Sequence, residues 1–271
     1  MSLILAAFSA INKNGLTSMS IETYGTGKRL MTAARLASMA YTSLHLVFLP
    51  VPTTRDKKHV ANTDILLEDT LLSAERGSFV VGYGLPDSYV SMAERKECSV
   101  LDLSRDEEYL IENAYLTALG ATGYILTTDG RSPSELSFGV VGYGRIGTAL
   151  VRILLFLGAR VRVFTSRHLT RIDLGEFGVE SRAADISVGS YDFSGIDVLI
   201  NTAPKDMSDK FPDRSPPPTL RVLELASGDN FSGVFGVEKL PALPEKMYPE
   251  SAGRAYFSAV ERFINSQSGI Y

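Results

Sequence analysis

A chain of 271 residues, 45% hydrophobic and 21% charged, has enough apolar material for one large domain or two modest ones. Its formal net charge of −4 argues against nucleic acid or an acidic membrane as a partner. The single cysteine, Cys98, excludes a disulfide framework, and His45, His59 and His168 show no metal-ligand spacing, so no metal is expected.

Met1 to Ala10 is apolar but lacks a basic flank and is too short to span a bilayer. No other stretch reaches membrane-spanning length without a charge, and a cytoplasmic protein is expected. The rest of the first forty residues has no clear pattern, and Gly25-Thr26-Gly27 is a glycine turn without a convincing strand before it. A helical segment covers Thr26 to Met39. Leu44 to Leu49 reads as a buried strand stopped by Pro50-Val51-Pro52, and Ser78 to Val81 as a second stopped by Gly82-Tyr83-Gly84. Helical patterns over Thr63 to Glu75 and Pro86 to Arg95 separate these from a third short strand, Ser99 to Leu101. Strands alternating with helices imply a parallel sheet. Glu107 to Leu126 reads as a long helix, interrupted by Gly120 and Gly123, that leads into a second α/β region.

That region opens with Phe138 to Val141, an apolar β-rich run, and then Gly142-Tyr143-Gly144-Arg145-Ile146-Gly147, a G-x-G-x-x-G turn that feeds a helical pattern from Thr148 to Leu157. Strand, turn and helix together mark a dinucleotide site. Gly142 permits the tight turn, Gly144 lets a pyrophosphate approach the backbone, and Gly147 lets the helix pack against the strand. Arg160 to Phe164 reads as the next strand. An NAD site would place an acid at its end; this chain has Thr165-Ser166-Arg167, with no acid before Asp173. Two hydroxyls and a guanidinium suit a ribose 2′-phosphate, so NADP(H) is expected over NAD, and His168, a lone loop histidine, is read as having no specific role.

Strands follow at Asp197 to Ile200, ending in Asn201-Thr202-Ala203-Pro204, and at Leu220 to Leu225, ending in Ala226-Ser227. A short late strand is expected at Lys239 to Leu243, and a closing helix at Ser251 to Asn265 that packs back on the first region. The fold class is α/β: an NAD(P)-binding Rossmann doubly wound parallel sheet plus a second, smaller α/β domain, flavodoxin-like or Rossmann-like. The expected boundaries are residues 1–110, completed by 251–271, and 111–250.

Four segments carry a family resemblance: Phe48 to Thr54, the Gly142–Gly147 turn, Ile200 to Pro204, and Leu225-Ala226-Ser227. Leu243-Pro244 through Tyr248 to Gly253 matches in outline. On these, the chain resembles the A subunit of dipicolinate synthase, a family related to the D-isomer-specific 2-hydroxyacid dehydrogenases. The resemblance implies oxidation of a dihydrodipicolinate-like cyclic dicarboxylate to dipicolinate with NADP, in sporulation, beside a flavoprotein-like second subunit. A homo-oligomer is also expected. The chain departs from the family at three places: the opening glycine-containing strand-turn-helix is not evident, Glu245 replaces a glycine after Leu243-Pro244, and Gly228-Asp229-Asn230 follows Ser227.

A 2-hydroxyacid dehydrogenase would want an Arg after the Leu220–Leu225 strand and a His before the last helix. Ser227 stands at the first place, and no His follows His168. A divergent reductase of that group, or a non-catalytic nucleotide-binding protein, are the alternatives. Asn201, Thr202, Ala203, Pro204, Ala226 and Ser227 are expected to line the nicotinamide. Thr53, Thr54 and Arg55 are expected on the substrate side, unless Thr53 and Thr54 only shape a loop. Ser227, Asn201 and Tyr115 are the catalytic candidates, Tyr83 is another proton donor to weigh, and Asn113 and Thr117 lie on the long helix. Pro50–Arg55 is expected to face Asn201–Pro204 and Ala226–Ser227 across a groove.

Overall fold

A computed structural model describes residues 8–9, 19–165, 175, 180–183 and 191–267. Its contacts divide the chain into two compact units: Met1–Asn113 with Glu245–Tyr271, and Ala114–Pro244. Among the described residues, no helix is long and apolar enough to cross a membrane.

The first unit holds a five-stranded sheet in the order β1-β2-β3-β4-β5. The strands are β1 (Phe8–Ser9), β2 (Ser20–Thr23), β3 (His45–Phe48), β4 (Phe79–Gly82) and β5 (Ser99–Asp102). β1 is antiparallel to β2 and the rest are parallel. Parallel strands covered on both faces read as continuous apolar runs, and β3 and β4 each bury three consecutive residues. One face packs against α1 (Lys28–Ala40) and the C-terminal helix (Pro249–Gln267) through Ile21, Leu46, Phe48, Ala33, Tyr256 and Val260. The other packs against α2 (Leu67–Ser73) and α3 (Asp87–Arg95) through Val47, Val80, Leu71 and Ala93. All three crossovers step the same way across the sheet, yet α1 lies on the opposite face from α2 and α3. The β2–α1–β3 connection therefore has the opposite hand to the two that follow, and the usual right-handed preference does not hold throughout this sheet.

Three expectations change. A strand, β2, does precede Gly25-Thr26-Gly27, so the first unit opens with its own strand-turn-helix. α4 (Glu107–Thr128) runs through Gly120 and Gly123 without a break. Each glycine costs about 1 kcal/mol in a helix interior, less than the packing of Ala118, Ala121 and Ile125 supplies. The late strand falls earlier, at β11 (Val237–Lys239), and the Leu243 end of the expected strand instead begins a short helix, α6 (Leu243–Met247).

The second unit holds six parallel strands: β6 (Ser137–Val141), β7 (Arg160–Thr165), β8 (Glu180–Ala183), β9 (Val198–Asn201), β10 (Arg221–Glu224) and β11. Their order is β11-β10-β9-β6-β7-β8. Numbered from β6 this is 3-2-1-4-5-6, the dinucleotide-binding doubly wound order, with its switch point between β6 and β9. α4 and α5 (Arg145–Phe156) cover one face. On the other, Phe164, Tyr191, Phe193, Phe211 and Phe231 form a chain of ring contacts. The C-terminal helix, Pro249–Gln267, is α7 hereafter.

Candidate functional site

Ligands of open parallel sheets sit outside the strand carboxyl ends, at the switch point. Here that point is framed by the Gly142–Gly147 turn after β6 and by Asn201–Pro204 after β9. Gly142 has a φ of 91°, a left-handed conformation that a side chain resists, and a Cβ there would meet Thr202 Oγ1 at 2.9 Å. A Cβ on Gly147 would collide with the Gly142 carbonyl oxygen and approach Thr202 Oγ1 to 3.1 Å. Gly144 differs: a Cβ there would meet nothing within 4 Å. Gly142 and Gly147 are thus required by the fold, whereas Gly144 leaves open space over the turn.

Gly144 is also the N-cap of α5 and, having no side chain, makes no capping bond. A helix amino end presents backbone N–H groups and a partial positive charge, a ready anion site. Gly144 and Arg145 are exposed, Tyr143 and Ile146 partly so. The turn therefore fits a dinucleotide pyrophosphate, with room above Gly144 and polar groups directed at it.

Thr202 pins the two sides of the switch point: its N–H and its hydroxyl both donate to the Val141 carbonyl, at 2.9 Å each. Asn201 is wholly buried. Its amide donates to the Glu224 carboxylate at 3.1 and 3.2 Å and to the Ala203 carbonyl at 3.0 Å, while its Oδ1 accepts from Ala203 N–H. Glu224 in turn accepts from Ala226 N–H at 2.7 Å. This network ties the ends of β9 and β10 together, and so sets the backbone of Ala203, Pro204, Ala226 and Ser227. Burial pushes the Glu224 carboxyl above its ordinary range, against the hydrogen bonds from Asn201 and Ala226. Asn201 is therefore a positioning residue whose amide is already engaged. Glu224 does not stand out in the sequence, because an acid inside Arg-Val-Leu-Glu-Leu reads as a strand-end surface charge.

Of the other catalytic candidates, Ser227 is exposed beyond β10, and Tyr115 is half exposed on α4. Tyr83 packs edge-on against Tyr109 in the first unit's core. Thr117 is buried on α4, and Asn113 is partly buried. Thr165 ends β7 and is buried. Ser166, Arg167 and His168 lie outside the described residues.

On the first unit, Thr53 is fully buried, and its hydroxyl accepts from Tyr83 N–H at 2.7 Å and donates to the Pro50 carbonyl. It fixes the loop after β3 and has no free face for a substrate. Thr54 donates to Asp56, and Arg55 is exposed. Cys98 is buried and donates to the Glu75 carbonyl, as a packing thiol does. Among the described residues, no group of histidines, cysteines and acids could hold a metal ion.

A second polar cluster lies at the carboxyl end of the first sheet. Arg29, in the first turn of α1, is buried and donates from Nη1 to the Tyr109 hydroxyl at 2.9 Å. Burial raises Tyr109 above its ordinary range, against the Arg29 charge. Tyr256 on α7 donates to the carbonyls of Leu49 and Val81.

No protein-family model and no curated relative matches this chain. Solved structures do resemble it in fold. The A subunit of dipicolinate synthase from Bacillus halodurans aligns at a TM-score of 0.70, with 19% identity over 90% of this chain and 96% of that one. Its counterpart from Bacillus subtilis aligns at 0.67, with 20% identity over 83% and 79%. D-lactate dehydrogenase from Escherichia coli aligns at 0.52, with 14% identity over 93% and 97%. The chain therefore has the two-part α/β fold of these proteins, with the Rossmann arrangement in its second unit.

Proposed function

We propose that the protein is an NADP(H)-dependent oxidoreductase of the kind represented by the A subunit of dipicolinate synthase, acting on a small cyclic dicarboxylate of the dihydrodipicolinate type. One observation carries the reading: a helix amino end with a glycine N-cap and open space above Gly144 coincide at the switch point of a 3-2-1-4-5-6 sheet. The likeness to dipicolinate synthase supports the choice of substrate class. The absence of an acid between Phe164 and Asp173 supports a 2′-phosphate, with Ser166 and Arg167 as its partners.

In this reading the turn N–H groups hold the pyrophosphate, and the Asn201–Glu224 network fixes the strand ends that line the nicotinamide. The cofactor, when bound, supplies the hydride acceptor. Thr202, bonded twice to the Val141 carbonyl, holds the floor of the site in place. Ser227 and Tyr115 are the side chains offered for proton transfer, and Arg55 for a substrate carboxylate. A flavoprotein-like second subunit works beside it. The test is turnover of dihydrodipicolinate with NADP⁺, with and without such a partner. Dipicolinate formation, with KM for the dicarboxylate raised in Arg55→Ala and NADPH affinity unchanged, is the expected result. Absence of turnover in both settings would overturn the reaction and leave a dinucleotide-binding protein.

A further inference from the structure

The first unit has a glycine turn and a helix amino end of its own. β2 runs into Tyr24-Gly25-Thr26-Gly27 and then α1, whose N-cap, Gly27, makes no side-chain capping bond. Gly25 has a φ of 116°. Two observations besides the helix end point to a ligand. First, two buried polar atoms in this segment, Arg29 Nε and Thr23 Oγ1, have no hydrogen-bond partner among the described residues. Arg29 is 5% exposed and Thr23 1%. Helical side chains lean toward the amino end of their helix, so Arg29, second in α1, leans toward Gly27. Thr23 ends β2, and by alternation it shares the face of Ile21, the face covered by α1 and α7. A buried guanidinium paired only with a tyrosine hydroxyl, and a buried hydroxyl paired with nothing, are costly to keep.

Second, a carboxylate of the chain itself lies beside this helix end. A Cβ on Gly27 would collide with Glu245 Oε1 and come within 3.5 Å of Oε2. Glu245 is the first residue of the segment by which the chain returns to this unit. Burial first, and the Glu245 charge in smaller part, push the Tyr109 hydroxyl upward, so this carboxylate also acts on the partner of Arg29.

We propose that the amino end of α1, backed by Arg29 and Thr23, is a binding site for a carboxylate group of a small substrate, and that Glu245, which lies against Gly27 without bonding Arg29 or Thr23, stands in its way and repels it. An incoming carboxylate displaces the Glu245 side chain, accepts from the α1 N–H groups, and gives Arg29 Nε and the Thr23 hydroxyl the partner they lack. No covalent step is involved. The proposal rests on the oxidoreductase reading only for the choice of a dicarboxylate as ligand.

The test titrates pyridine-2,6-dicarboxylate into the full chain by calorimetry, without dinucleotide. Glu245→Gln keeps the shape and removes the charge; it should tighten binding roughly tenfold or more. Arg29→Lys and Thr23→Val should weaken it, with thermal unfolding showing that each variant is folded. Glu245 is only partly buried, so its variant is a safe readout if Arg29→Lys fails to fold. Unchanged affinity in Glu245→Gln, or no binding by either protein, would overturn the proposal. So would equal affinity for inorganic phosphate titrated in parallel. NADPH titrated into the same samples reports the dinucleotide site separately, so that failure of one reading is not mistaken for failure of the other.

Discussion

Gly144 and Gly147 lie three residues apart and differ in what a side chain would meet: nothing within 4 Å at Gly144, a collision at Gly147. At Gly147 the obstacle is the protein's own backbone, the Gly142 carbonyl. Gly147→Ala should therefore lower stability by about 1–3 kcal/mol in urea unfolding, the range of an overpacked core site. An unchanged midpoint would show that the turn relaxes. Glu224 offers a second residue-scale test. Its folded pKa is raised by burial, so the folded protein holds this proton more tightly than the unfolded chain does. The stability it contributes is full below the ordinary value of 4.5 and lost as pH rises through the folded pKa. Thermal midpoints of the native protein and Glu224→Gln, compared from about pH 4 to about pH 8, should diverge in favour of the variant as pH rises. A constant difference would contradict the assignment. The glycines of the turn are legible in sequence because their spacing is set by backbone geometry. Glu224 and Arg29 are not, since their chemistry comes from burial, and burial depends on what folds over them.

Elements are legible where periodicity is strong. The buried runs of β3, β4, β6 and β9 announce themselves, and so do α5 and α7. β2 does not, because Ser-Ile-Glu-Thr alternates between a buried face and a partly exposed one and contains only one apolar residue. β11 escapes a reading by pattern because Val237-Glu238-Lys239 is short and polar, and Leu240 to Leu243 is the more apolar stretch. What secures β11 is tertiary: Arg221 on β10 pairs with Glu238, which also accepts from the Tyr124 hydroxyl on α4. The α1–α7 contact shows the same dependence on packing. A Cβ on Gly253 would come within 2.6 Å of Thr32 Cγ2 and 2.9 Å of the Arg29 carbonyl. Alanine gains about 1 kcal/mol over glycine in a helix, but forced separation of two packed helices costs about 1–3 kcal/mol. Gly253→Ala should destabilise the protein in chemical denaturation. A gain in stability would mean that the helices part at little cost.

At the scale of the whole molecule, the chain builds two parallel-sheet units, and each opens with a strand, a glycine turn and a helix with a glycine N-cap. They differ in what stands at the helix amino end. In the second unit the space above Gly144 is open; in the first, Glu245 lies against Gly27. On the reading proposed above, the dinucleotide belongs to the second unit and a substrate carboxylate to the first. The sequence alone distinguishes them only partly, since Glu245 is distant from Gly27 along the chain and nothing in the pattern brings the two together. The doubly wound order is legible from the G-x-G-x-x-G turn and the strands that follow it. Cofactor choice rests on Thr165-Ser166-Arg167. The most direct test of the account is nucleotide binding by the native protein and Gly144→Val, followed by NADPH and NADH fluorescence. The native protein should bind NADPH more tightly than NADH, by a margin of about 1.5–3 kcal/mol for a charge-assisted bond. Gly144→Val should remain folded and bind neither. Retention of NADPH affinity in folded Gly144→Val would place the nucleotide elsewhere and contradict the account, and equal affinity for NADH in the native protein would remove the 2′-phosphate reading.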